Sequence, residues 1–102
     1  MSETDRRLPV QKLVRLTAHA GRESELLDAL RIHEAATRQE PECIEFTFLQ
    51  AISNHGPFVL LEHFADEQAF KAHMQRPQTE ALLKAGLIAT VEATDVPYLG
   101  SK

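Results

Sequence analysis

Apolar and polar residues divide the chain into six predicted elements, the second helix in two pieces. Val10 to Ala18 (VQKLVRLTA) reads as a first strand, broken at Gly21. Arg22 or Glu23 then opens a helix running to about Gln39. Leu26, Leu30, His33 and Thr37 fall at helical spacing along it, flanked by Leu27 and Ala29. Glu40-Pro41 stops this helix, because the residue before a proline disfavours the α region. Ile44 to Gln50 (IEFTFLQ) alternates, with Ile44, Phe46 and Phe48 expected on one face and Glu45 and Thr47 on the other. Ser53-Asn-His-Gly-Pro57 is turn chemistry, so a hairpin is expected between this strand and the next, Phe58 to Phe64. Asp66 offers a cap for a second helix to about Gln75, which Pro77 interrupts. A short helical piece, Gln78 to Ala85, ends at Gly86, and a last strand runs from Leu87 or Ile88 to Val96.

The order strand, helix, strand, strand, helix, strand is that of an α+β, ferredoxin-like βαββαβ unit with an antiparallel sheet. One flexible segment over residues 1–8, one domain over 9–97 and a tail over 98–102 complete the expected organisation. The third strand is apolar on both faces, with Phe58, Leu60 and Phe64 on one and Val59 and Leu61 on the other. A small sheet with helices on one side usually leaves its other face polar, and no helix remains to cover the second face here. A second copy of the chain, packed sheet to sheet about a two-fold axis, is the expected cover. Any reactive site is expected between the third strand and the helix after it. Glu62 and His63 end the strand there, and Ala69, Phe70, His73 and Met74 share a helix face.

Composition narrows the partners. A net charge of −4 with scattered Lys and Arg argues against nucleic acid. Cys43 is the one cysteine, so no internal disulfide forms, in keeping with a reducing compartment. No apolar run reaches the ~18 residues of a membrane span, and Met1 to Arg7 has no secretory-signal character. The expected address is the cytoplasm. The four glycines form no phosphate loop, and the five histidines show no ligand spacing, so no metal is expected.

The runs Glu40-Pro-Glu-Cys43, Phe58-Val-Leu-Leu-Glu62 and Phe64-Ala-Asp-Glu-Gln-Ala-Phe-Lys-Ala-His73, with Pro77, resemble the antibiotic biosynthesis monooxygenase domain over about Val10 to Val96. The resemblance implies a dimeric α+β barrel of ferredoxin-like subunits, each with a pocket between sheet and helices. It implies an enzyme that oxidises a small planar quinol, phenolic or polyketide-type compound with O2 and no cofactor. Two alternatives stay open: a non-catalytic module that binds a small apolar metabolite, and a proton-shuttling isomerase in the same pocket. Haem degradation is disfavoured, because the chain has no Trp and its first strand has no Asn. Where the family often continues His-aromatic after Pro77, this chain has Gln78-Thr79.

His73 is the candidate base, since a histidine accepts a proton near neutral pH; its plainer role is to pack the helix. Glu62 is the candidate orienter, or else an ion-pair partner for Arg15. Phe64, Phe70 and Met74 are expected as apolar walls, with His33, Phe46 and Leu83 completing the substrate contacts and Leu82 closing one side. His63 is assigned to the subunit interface, His19 and His55 to solvated turns, and Cys43 to packing.

Overall fold

In the computed structural model, residues 8–96 are described. They form seven elements: β1 (Val10–Ala18), α1 (Glu23–Thr37), β2 (Cys43–Gln50), β3 (Pro57–Phe64), α2 (Glu67–Met74), α3 (Pro77–Lys84) and β4 (Ile88–Asp95). The segments expected at 1–8 and 98–102 lie outside the described residues, apart from Leu8. Among the described residues, no helix is long and apolar enough to cross a membrane.

The sheet order is β2-β3-β1-β4, antiparallel throughout. This is the ferredoxin-like βαββαβ arrangement, with its second helix broken in two. Pro77 makes the break: it lacks the N–H that would continue α2, yet suits the first position of α3. Asp66 caps α2 by accepting from Ala69 N at 2.8 Å. Gly86, at φ 75°, turns the chain from α3 towards β4 in a conformation that a side chain would strain.

Register assigns every strand residue to a face. Lys12, Val14 and Leu16 of β1 pair with Glu62, Leu60 and Phe58 of β3. Phe46 and Phe48 of β2 pair with Glu62 and Leu60 from the other side. These residues face the helices, and the apolar ones among them, with Leu26 and Leu30 of α1, Phe64 and Leu87, hold the core. The α1 stripe is buried as its spacing predicts: Leu26, Leu30, His33 and Thr37. β2 lies at an edge of the sheet, where unpaired backbone groups invite other strands. Two side chains, one from α1 and one from its C-cap, occupy some of them. Glu34 accepts from Phe48 N at 2.8 Å, and Arg38 Nε donates to Phe46 O at 3.0 Å.

One facial assignment changes. Cys43 pairs with Phe64 and Glu45 with His63, so Ile44 is an extra residue in β2. The bulge turns Ile44 outward, where it is 59% exposed, and packs Cys43 against the core in its place. The alternation Ile44, Phe46, Phe48 therefore holds only for its last two members.

On the opposite face, Leu13 pairs with Leu61 and Leu49 with Val59. Leu61 and Leu49 are exposed. Around them stand Arg15, His63, Glu45, Thr47 and Glu92.

Candidate functional site

The helices cover β2, β3 and β1 but leave much of β4 open; Val91, on its helix-facing side, is 56% exposed. Between that open side and α2–α3 lies a cavity of ≈ 300 Å³. Its floor is Val14, Leu16, Leu60 and Phe46, and its roof is Phe70, Leu82 and Leu30. Half-exposed Met74, Leu83 and Val91 form the rim. The polar side chains in this apolar wall are Lys12, His33, Glu62, His73 and Thr79.

His73 sits on α2 and is 3% exposed, with its ring 5.0 Å from that of Phe64 and 5.2 Å from that of Phe46. Its Nδ1 lies 3.1 Å from Oε2 of Glu40, in the loop between α1 and β2. The same oxygen accepts from Gln78 Nε2 at 3.2 Å. Arg76 Nε stands 3.4 Å away, within ion-pair range but not aligned for a hydrogen bond. An ionised carboxylate only accepts, so Nδ1 carries the proton and Nε2 is left as the basic nitrogen. The carboxylate that orients His73 is thus Glu40. Glu62 lines the same cavity but does not touch His73.

Glu62 is 7% exposed. Burial pushes its carboxyl up to about 7, against a smaller opposing pull from Lys12. Lys12 is its cross-strand neighbour, but its ammonium is bonded to Asp95 at 2.6 Å and lies over the Phe70 ring. Arg15 is on the other face, opposite Val59, because strand residues alternate sides. It is not available to Glu62.

His33 comes from α1, with its ring 5.5 Å from that of His73 and edge-on to Phe46. Burial, with His73 beside it, pushes His33 down to about 4, so its imidazole is neutral near pH 7. Among the described residues no group of His, Cys, Asp and Glu is placed to hold a metal. The Cys43 thiol is pushed up, chiefly by burial and then by Glu40 and Glu62, which argues against a nucleophile.

The family model for antibiotic biosynthesis monooxygenase matches residues 9–85. The chain belongs to the antibiotic biosynthesis monooxygenase family. Solved structures share the fold at low identity. PA3566 of Pseudomonas aeruginosa has a TM-score of 0.85 and 21% identity, over 93% of this chain and 98% of that one. Rv0793 of Mycobacterium tuberculosis has a TM-score of 0.81 and 22% identity, over 91% and 97%. SnoaB, a cofactor-independent oxygenase from Streptomyces nogalater, has a TM-score of 0.75 and 20% identity, over 88% and 92%. No curated protein matches the chain.

In this family member the cavity brings together His73, Glu62, Phe70, Met74, His33, Phe46 and Leu83. Phe64 is left out. It is 1% exposed, packed edge-on against Phe46 and Phe70, and reaches a separate cleft beside Cys43 and Arg76. Strand alternation gives its face but not its depth. Sequence reasoning passed over Glu40, Lys12 and Thr79. Glu40 stands in the run that carries the family resemblance, where its place before Pro41 signals only a helix stop. Lys12 shares the parity of Val14 and Leu16 along β1, which is a legible signal.

Proposed function

We propose that this protein is a cofactor-independent monooxygenase that oxidises a small planar quinol or phenolic, polyketide-type compound with O2 in the cavity under α2 and α3. The carrying observation is a basic imidazole, locked by a buried carboxylate, at the wall of a largely apolar cavity of ≈ 300 Å³. That volume is at the small end of ligand pockets, and a flat aromatic compound suits walls built from Phe46, Phe48 and Phe70.

The chemistry needs one base. His73 Nε2 takes a proton from an acidic O–H or C–H of the substrate, and the electron pair stays on the ring system. The resulting anion is electron-rich enough to reduce O2 directly. For an anthrone-type methylene, both C–H bonds break and one oxygen atom enters as the new carbonyl. The other oxygen atom leaves as water with the two hydrogens, so one methylene and one O2 give one ketone and one water. The largely apolar lining limits the water that reaches the reacting ring. Glu62, with a carboxyl that titrates near neutral pH, orients a substrate hydroxyl. Family membership and the description of SnoaB as a cofactor-independent oxygenase support this reading.

The working unit proposed is a cytoplasmic homodimer. The apolar strip Leu13, Leu61, Val59 and Leu49 on the outer sheet face supports it. A second reading, a proton-shuttling isomerase, draws support from Glu62. Its carboxyl, pushed up to about 7 by burial, lines the same cavity as the His73 imidazole.

Oxygen consumption by chelator-treated protein against a panel of quinols and anthrones tests the proposal, with His73→Ala beside it. Uptake above the autoxidation blank should fall in the variant by roughly 10²–10⁴-fold, the range of general-base catalysis. Retained uptake in a folded His73→Ala protein defeats the assignment of the base. Turnover without oxygen uptake favours the isomerase.

A further inference from the structure

We infer that His33 is a second catalytic imidazole, a neutral N–H donor that holds the substrate oxygen on which negative charge collects as His73 removes the proton. The inference rests on the oxidation reading for its chemistry and on the paired rings for its geometry.

The two histidines share one cavity, with ring centroids 5.5 Å apart, yet their surroundings impose opposite proton positions. In His73 the Nδ1 proton is committed to Glu40, so Nε2 is a lone pair. In His33 the Nδ1 atom is sealed from solvent and has no hydrogen-bond partner among the described residues. A buried N–H without an acceptor is rare and costly, whereas an unpaired lone pair is better tolerated. The His33 proton therefore sits on Nε2. Because the ring lines the cavity and its Nδ1 is sealed off, Nε2 is the nitrogen able to address a ligand. One ring thus presents an acceptor and the other a donor.

That pairing suits proton removal from a phenol or an enolisable ketone. The O–H or C–H bond breaks, the proton passes to His73 Nε2, and the electron pair delocalises onto the substrate oxygen. A donor fixed before the reaction stabilises that oxygen without reorganising, and in a dry site such a donor carries a large share of rate enhancement. A second cation would be a poor choice, because it would repel the imidazolium that His73 becomes. His33 avoids the conflict by remaining uncharged: burial and the neighbouring His73 both oppose its protonation. His33 is held for this task by α1. Leu26, Leu30 and Thr37 are buried along the same stripe, and Phe46 meets the ring edge-on.

Long-range proton–nitrogen NMR of the full chain reads the tautomer of each imidazole without any substrate. At pH 7 the expected result is Nδ1–H for His73 and Nε2–H for His33. An Nδ1–H tautomer or a charged ring at His33 overturns the inference, whatever the reaction proves to be. The second arm uses 2-hydroxyanthraquinone, whose absorbance reports ionisation, with anthraquinone as the control lacking a hydroxyl. His33→Phe should raise the apparent pKa of the bound hydroxy compound by about one pH unit or more, while bound anthraquinone, with no ionisable hydroxyl, shows no titration in either protein. His33→Gln, which keeps an N–H donor, should restore at least half of that shift. Equal pKa values in wild type and both variants overturn the role. If oxygen uptake is absent but the tautomers and the pKa shift are as expected, the oxidation reading falls and the donor assignment stands.

Discussion

Glu62→Gln is the perturbation that tests the electrostatics of the cavity most directly. The wild-type carboxyl is pushed from 4.5 up to about 7 by burial, with Lys12 opposing weakly. In the unfolded chain the group ionises near 4.5, and in the folded chain near 7. Well below pH 4.5 both states hold the proton, and ionisation of Glu62 costs folding nothing. As the pH rises from 4.5 to 7 the unfolded state releases its proton first, so the folded state is progressively penalised. At about 1.4 kcal/mol for each pH unit of separation, the full penalty is about 3 kcal/mol, reached above pH 7. Glutamine has nearly the same shape and no charge, so its burial cost is constant with pH. The variant should therefore gain on the wild type by about 2–3 kcal/mol between pH 5 and pH 8.5. Urea unfolding at both pH values, at one fixed protein concentration, measures the difference. The concentration must be fixed because an oligomer's apparent stability depends on it. A difference that is the same at pH 5 and pH 8.5 refutes the reasoning. So does a variant less stable at pH 8.5 than at pH 5 relative to wild type, which would mean an ionised Glu62 stabilised by a cation, with Lys12 turned away from Asp95.

Two further outcomes follow from the same geometry. Glu40→Ala strips His73 and Gln78 of a buried charged acceptor. It should lower the unfolding free energy by at least the ~1.5–3 kcal/mol of a charge-assisted hydrogen bond, and turnover should drop toward that of His73→Ala; unchanged denaturation and turnover would show that Glu40 does not hold the base. Leu61→Lys places a charge at the middle of the outer apolar strip. The wild type should sediment as a dimer at micromolar concentration and the variant as a monomer or unfolded chain, whereas a monomeric wild type would contradict the proposed sheet-to-sheet packing.

The strands, the helices and their order were written in local pattern. The α1 stripe needed only helical spacing, and the break between α2 and α3 needed only Pro77. The side of the sheet that each β3 residue faces followed from alternation, which placed Glu62 with Leu60 and apart from His63. Alternation fails wherever one residue is inserted, and nothing in Cys43-Ile-Glu-Phe46 announces the bulge that turns Ile44 outward. That is decided by pairing with Phe64 and His63, on a different strand. Depth is likewise a tertiary property. Phe64 and Phe70 look equivalent as aromatic candidates, but Phe64 is enclosed by Phe46 and Phe70, and Phe70 reaches the cavity. The family resemblance drew attention to His73, yet a histidine's chemistry is set by what bonds its second nitrogen. Its partner, Glu40, lies 33 positions earlier. The amino-acid sequence determined which side chains were available and on which faces. Only the folding of the α1–β2 loop onto α2 decided that His73 Nδ1 meets the Glu40 carboxylate, and only the packing of α1 over the sheet brought His33 beside it.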